Sequence, residues 1–547
     1  MFRFKKNYFV AMGLVLLLAG LLRVYQLSLT PGGLYWDEAV IGYDAFSLAK
    51  TGRDHTGNVP ITFIKSFGDF KNPLYVYLTS TVIKLTGQLN KVSVRLTSVI
   101  AGIMTCWGVM ILTKIWTKRK RVSLLAGLLI AISPWAVMMS RAGFEANLFL
   151  SLSLWAIIFF SWFIKNGKIH NLLLSSSLFG LTLYSYHSAK ITTPLIVLSF
   201  FVIFSKKLLK LKFKLVGPLL VLFLWGIPFL NSETIKTTFF RVGGVTQVNQ
   251  EVINKNADEL LRDDYVAVNR FFHDSRYIRI KSYLSNYAKN LSFNYLFFEG
   301  DSNRRHSLDG FGQLYLVEML SILAGGYYLL KLKKKSGLRK LLAVLLLISP
   351  VPSAISVQAP HALRSILLLI PLSMLSALGF NYLIGQKRIK ILTLLLGVFI
   401  LFQSFEFFHH YFNHYNYSNS TDWQYGYKDT IDYLKDLNIE GKKVVFTNEY
   451  SQALWYLAFY WPFDPSEFQQ DAKIDYGESG RFWEATGSFK NFEVQKEIDW
   501  RDYAESNAVI VESPGKIPDE LPKKTFYYPD GQVVFEVSDT SEWYESK

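Results

Sequence analysis

Stretches of roughly 15 to 22 apolar residues alternate along the chain with short polar connections, and a bilayer core about 30 Å thick needs about 20 such residues per helix. The pattern predicts membrane helices at 9–27, 95–116, 122–139, 147–165, 171–186, 189–205, 214–231, 314–331, 340–357, 364–384 and 390–408, about 11 crossings in all. A further apolar run, Pro73 to Leu85, opens with a proline and stops near Gly87. It is read as a helix lying on or dipping into the outer interface. The fifth and sixth spans are short, so the polar link Tyr184 to Lys190 is expected below the outer surface, where polar groups usually line a cavity. Past residue 408 the period changes. The runs 443–447, 508–511 and 532–537 are β-like and 429–437 is helical, as expected of a small α/β domain.

Composition fits this picture. Half of the residues are hydrophobic and only 19% are charged, which excludes a disordered chain and disfavours an ordinary soluble enzyme. The net charge of +16 would suggest nucleic acid in a soluble protein, but here it maps onto topology. The segments 114–121, 165–168, 206–214, 331–340 and 387–390 are basic and carry no acid, so the positive-inside rule assigns them to the cytoplasm with the Lys-rich N-terminus. The first apolar run lacks a cleavage signal and reads as a retained anchor. The outward parts are then the first loop 28–94, the long loop 232–312 and the tail 409–547, with 1–408 as the membrane domain. The lone cysteine, Cys106, lies in an apolar run, so no disulfide forms within the chain.

Candidate chemistry gathers on the outer side. Asp37 and Glu38 follow the first span at the start of a helical pattern. Asp37 stands where an N-cap would, and reads either as that cap or as a general base at the membrane surface. Lys71 precedes the interfacial helix and Arg95 tops the second span; each is either a snorkelling cation or a grip for an anionic lipid phosphate. Arg141 and Glu145, spaced i,i+4 in a short apolar turn, are either a simple pair or part of a site. Arg364 opens the tenth span, where a cation opposes the helix dipole unless an anion sits there. Tyr43, His187, Lys190, Arg304, His306 and His361 complete the set of candidate substrate-binding residues. The histidines 409, 410 and 414 form a cluster at the interface, where histidines are commonplace and need no metal.

In order, Tyr35-Trp36-Asp37-Glu38-Ala39, Lys71-Asn72-Pro73-Leu74-Tyr75, Arg95-Leu96-Thr97-Ser98, Ser133-Pro134 with Ser140-Arg141 and Glu145, and His361 with Arg364 resemble the signposts of the protein O-mannosyltransferase and aminoarabinose-transferase group of GT-C fold glycosyltransferases. The resemblance covers about residues 1–400 and implies a GT-C-like polytopic α-helical membrane protein. Such a protein transfers a hexose or pentose from a polyprenyl-phosphate donor to an acceptor on the outer face. The first-loop acidic pair is then central to catalysis. Asp37 is assigned as an inverting base, Glu38 as its positioner and Glu145 as orienting acceptor or sugar. Lys71, Arg95 and Arg364 are assigned to the donor phosphate. Two departures from the group's pattern stand out: Asn72 replaces a proline, and Phe70 replaces an acid that some members carry before the lysine. The second leaves a divalent metal unsupported, and no cofactor is firmly implied. The expected partners are the polyprenyl-phosphate sugar, membrane lipids and an acceptor that is protein, lipid or glycan, with no nucleic acid. A secondary transporter of a polar or anionic solute and a membrane-anchored binding scaffold are the competing classes. Transporters, however, usually bury ionisable residues near mid-membrane, whereas the candidates here cluster at one surface.

Overall fold

The computed structural model describes residues 2–66, 70–231, 254–255, 258–259, 271–332, 337–386, 390–476, 485–504 and 506–545. Helices dominate. The opening series is α1 Phe2–Val24, α2 Trp36–Thr51, α3 Pro73–Thr86, α4 Lys91–Thr117, α5 Lys120–Ile132, α6 Pro134–Arg141 and α7 Glu145–Asn166. Among the described residues seven helices are long and apolar enough to cross a membrane, or eight if the bent pair α5 and α6 is one span. The count of about 11 therefore remains a reading of the sequence.

Local chemistry explains the departures from that reading. The span expected over 122–139 is broken between α5 and α6 by 55°, at Pro134, which has no N–H to continue the helical ladder. Arg23 lies wholly buried against the break and donates to the carbonyls of Ile130 and Ala131 at 3.2 and 3.1 Å. The spans expected at 189–205 and 214–231 run together as one apolar stretch, Ala189–Leu230, about twice the length a bilayer asks for. A 3-10 segment, Leu209–Leu215, joins its parts, and within it Lys212 has the non-helical φ of 50°. The helix α3 begins with Pro73 at its first turn and ends on Gly87 at φ 71°, as the run predicted.

Packing sorts the chain into two compact units. One comprises residues 1–23, 100–140 and 145–407. In it the helices Leu316–Lys331 and Leu369–Ile384 cross in close contact. There a Cβ on Gly379 would stand 1.7 Å from the Ser321 carbonyl, and Ser321 and Ser376 share a hydrogen bond of 2.6 Å. Without water to drive association, such small-residue contacts are how membrane helices hold together.

The other unit comprises residues 24–99, 141–144 and 408–547. A cut after residue 408 keeps its sheet whole; packing adds the first loop to it. A short antiparallel pair, β1 Ile64–Lys65 and β2 Phe70–Lys71, leads into α3. The tail forms a seven-stranded sheet from β3 Lys443–Thr447, β4 Lys473–Asp475, β5 Thr486–Phe489, β6 Phe492–Gln495, β7 Ala508–Glu512, β8 Lys524–Tyr527 and β9 Val533–Asp539. The order is β4-β5-β6-β3-β7-β9-β8, with β3 parallel to both β6 and β7 and the other pairs antiparallel. All five residues of β7 are buried, which explains why this strand reads as a continuous apolar run. The buried helix Ala453–Tyr460 carries Tyr456, whose hydroxyl donates to the Leu34 carbonyl at 3.0 Å just before α2.

Candidate active site

The helix α2 fixes the acidic pair. Its N-cap is Tyr35, not Asp37: Glu38, three residues on, accepts the Tyr35 N–H at 3.3 Å in a capping-box arrangement, and Asp37 falls in the first turn. The expectation that Asp37 caps the helix is therefore corrected. The adjacent carboxylates point to different surroundings. Glu38 is wholly buried; besides Tyr35 it accepts from Arg95 Nε at 2.8 Å, Arg95 Nη2 at 3.0 Å and the Gly143 N–H at 2.8 Å. Asp37 keeps 23% of its side chain exposed and forms an ion pair with Lys71, which β2 and the start of α3 hold in place.

Arg95 has no donor left over. Nη1 donates to the carbonyls of Leu27 and Pro31 at 3.1 and 2.8 Å. Nη2 adds the Gly33 carbonyl at 2.6 Å to its Glu38 contact. With all five N–H groups used inside the protein and no exposed surface, Arg95 is a strut for the segment before α2, and its expected grip on a lipid phosphate is corrected accordingly. Arg141 is used in a similar way: it is buried, donates to the carbonyls of Gln26 and Thr30 at 3.3 and 2.8 Å, and lies 4.8 Å over the Phe412 ring. Tyr43 is also interior; its hydroxyl donates to the Phe463 carbonyl at 3.3 Å, and burial followed by the charges of Asp44 and Asp464 pushes its pKa up. Tyr43 thus packs the unit instead of facing substrate.

A second polar cluster in this unit escaped the sequence reading. His55 Nδ1 donates to Asp44 Oδ1 at 2.7 Å, and its Nε2 lies 2.9 Å from the Tyr476 hydroxyl. Asp44 is one residue past Tyr43, but nothing local in the chain ties it to a tyrosine more than four hundred positions away.

The remaining candidates belong to the other unit. Glu145 opens α7. His187 stands in the half-buried link before the helix Ala189–Leu208, and Lys190, in its first turn, lies 5.3 Å over the Phe229 ring. Arg304 is exposed and 3.7 Å from Asp309. His306 and His361 are buried beside Asp301. His306 Nδ1 donates to Asp301 Oδ2 at 2.9 Å, the Ala362 N–H donates to the same oxygen at 2.7 Å, and the two imidazole rings lie 5.0 Å apart. Burial opposes ionisation of Asp301, but His306, His361 and the Ala362 N–H outweigh it and hold the carboxyl below its usual range. Burial lowers the His361 pKa well below its ordinary value, and Arg364, His306 and Arg305 reinforce the shift. Arg364 lies in the turn before the 3-10 segment Ile366–Leu368, short of the helix N-terminus where it was expected.

Residues 71–230 match the family model described as dolichyl-phosphate-mannose-protein mannosyltransferase. No curated protein sequence matches this chain closely enough to be called a relative. Among solved structures, the Archaeoglobus fulgidus oligosaccharyltransferase in complex with Zn and sulfate superposes with a TM-score of 0.51 at 14% identity, over 82% of this chain and 61% of that one. The same archaeal enzyme tethered to an acceptor peptide gives 0.50 at 13% identity, over 83% and 63%. This chain thus spans about three fifths of the length of that enzyme. ArnT from Cupriavidus metallidurans bound to undecaprenyl phosphate aligns over 98% of both chains, with a TM-score of 0.44 at 11% identity. With its apolar helices, its matched segment and its C-terminal sheet, the chain is an integral, polytopic α-helical membrane protein of the GT-C fold.

Proposed function

We propose that this protein transfers a sugar from a polyprenyl-phosphate donor to an acceptor on the outer face of the membrane, with Asp37 as the base. The observation that carries the reading is the contrast within the acidic pair: Glu38 is buried and consumed by four N–H groups, whereas Asp37 retains exposure and faces a cation, Lys71. The matched family's description, which names a dolichyl-phosphate-mannose donor, supports the choice of donor class.

The chemistry follows from those two side chains. The acceptor hydroxyl gives its proton to the Asp37 carboxylate as its oxygen bonds to the anomeric carbon, and the bond from that carbon to the phosphate oxygen breaks. The leaving lipid phosphate gains one negative charge, which Lys71 is suited to neutralise, so no acid need protonate it. Exchange of Lys71 from Asp37 to the phosphate would also free the carboxylate as the donor arrives. Attack opposite the departing phosphate inverts the anomeric centre. Glu38 and Arg95 act as positioning residues that hold the start of α2. Arg364 remains a second phosphate-binding candidate, and Glu145 a candidate for orienting acceptor or sugar. The N-terminus is assigned to the cytoplasm and the tail to the outside.

The test uses labelled polyprenyl-phosphate mannose, protein reconstituted in vesicles and envelope material as acceptor. Asp37→Asn should remain folded and membrane-inserted and lose at least about a hundredfold in transfer, the usual worth of a positioned base. Transfer near the wild-type rate in folded Asp37→Asn protein would remove Asp37 from the chemistry.

A further inference from the structure

The glycosyl-transfer reading makes no use of the buried trio Asp301, His306 and His361. One ligand atom from each of the three lies within 4.8 Å of the others, and all three residues are buried. Among the described residues, Nδ1 of His361 is enclosed and has no hydrogen-bond partner, although that ring is only 8% exposed. A buried imidazole nitrogen with no partner is destabilising, so its retention needs an explanation. The backbone is built to hold the trio. The Ala362 N–H fixes Asp301, and the Asn290 side chain accepts the His361 N–H at 3.4 Å. In this way the turn 301–306 and the turn 360–365 converge.

We propose that Asp301, His306 and His361 form a binding site for a divalent transition metal of the zinc class. Two imidazole nitrogens and one carboxylate oxygen are a donor set that Zn2+ takes with a further position left open. Closure around an ion of this kind requires ligand atoms roughly 3–3.5 Å apart, so these atoms, now within 4.8 Å of one another, draw together when the ion binds. Arg305 and Arg364 place positive charge near the His361 ring, which favours an anion as the remaining ligand. No residue of the first loop is among its ligands, and the assignment does not rest on the glycosyl-transfer reading.

The experiment uses full-length protein in detergent with any affinity tag removed. Zn2+ is added with inorganic phosphate present, free ion is removed by dialysis, and bound metal is counted by plasma mass spectrometry. One Zn2+ per chain is expected. His361→Gln, which leaves the Asp301 and His306 contact intact, should weaken binding by at least about a hundredfold, more than loss of an outer-shell partner costs. The triple variant His409→Gln, His410→Gln, His414→Gln alters an exposed cluster and should retain the metal. Substitution with Co2+ in the wild-type protein supplies a measurement that needs no variant: visible d–d bands of a nitrogen and oxygen site should appear at one equivalent. Absence of bound metal and of those bands, full retention in His361→Gln, or loss only in the triple variant would each overturn the assignment.

Discussion

The buried Glu38 and Arg95 pair gives the sharpest prediction about how the site is held. Removal of one member of a buried ion pair costs about 3–5 kcal/mol, because the other charge stays in the interior without its partner. Arg95→Met lies at the upper end of that range, since it also takes donors from the carbonyls of Leu27, Pro31 and Gly33, each worth about 1 kcal/mol. Glu38→Gln keeps the shape but replaces a carboxylate fed by four N–H groups with an amide that presents an N–H of its own to donors, and about 3 kcal/mol is expected. For a folded unit of this size 1 kcal/mol moves the melting midpoint by about 2–4 °C, so each variant should melt about 6–20 °C below wild type. Intrinsic tryptophan fluorescence during heating in detergent reads this, and Trp423, 5.7 Å from the Arg95 guanidinium, lies next to the perturbation. The double variant should be less destabilised than the sum of the singles, because neither buried charge is then left alone. Asp37→Asn is the contrast: its carboxylate is partly exposed, so although the change leaves the buried Lys71 without a carboxylate partner, a smaller fall in the melting midpoint than for Glu38→Gln or Arg95→Met is expected. Single variants of Glu38 and Arg95 that melt within about 2 °C of wild type would refute the argument that this pair organises the start of α2.

The other predictions concern donor and topology. Lys71→Met and Arg364→Met should each weaken saturation by polyprenyl-phosphate mannose by about ten- to a hundredfold, the worth of a charge-assisted hydrogen bond, with insertion unchanged. Unchanged donor dependence in either variant would return that residue to the lipid interface. A cysteine at Lys118 should be shielded from a membrane-impermeant maleimide in intact cells, and one at the exposed Asp519 should react, with Cys106 silent because it is buried. Labelling at both positions would reverse the assignment of sides.

Much of the fold was legible along the chain. Apolar run length marks membrane helices because a bilayer fixes the length they need, and Pro73 and Gly87 bound α3 because each acts on its own backbone. The strands of the tail showed for a like reason: β3, β7 and β9 bury so much of their length that their apolar character is local. The motif Trp36-Asp37-Glu38 likewise marked a candidate site. What the sequence by itself left undecided was how two neighbouring carboxylates divide the work, since the divergence of Asp37 and Glu38 depends on Arg95, Gly143 and Lys71, brought from distant positions. The same holds for Arg95, whose charge reads as phosphate-binding in one dimension and is spent on Glu38 and three carbonyls in three. His55 with Tyr476, and His361 with Asp301, carried no signal at all, because only the closing of the chain puts a hydrogen-bond acceptor or a second ligand within reach. Run length and turn chemistry are properties of neighbouring residues, whereas burial and the consumption of donors are properties of packing, and packing alone determined which polar side chains were left available for chemistry.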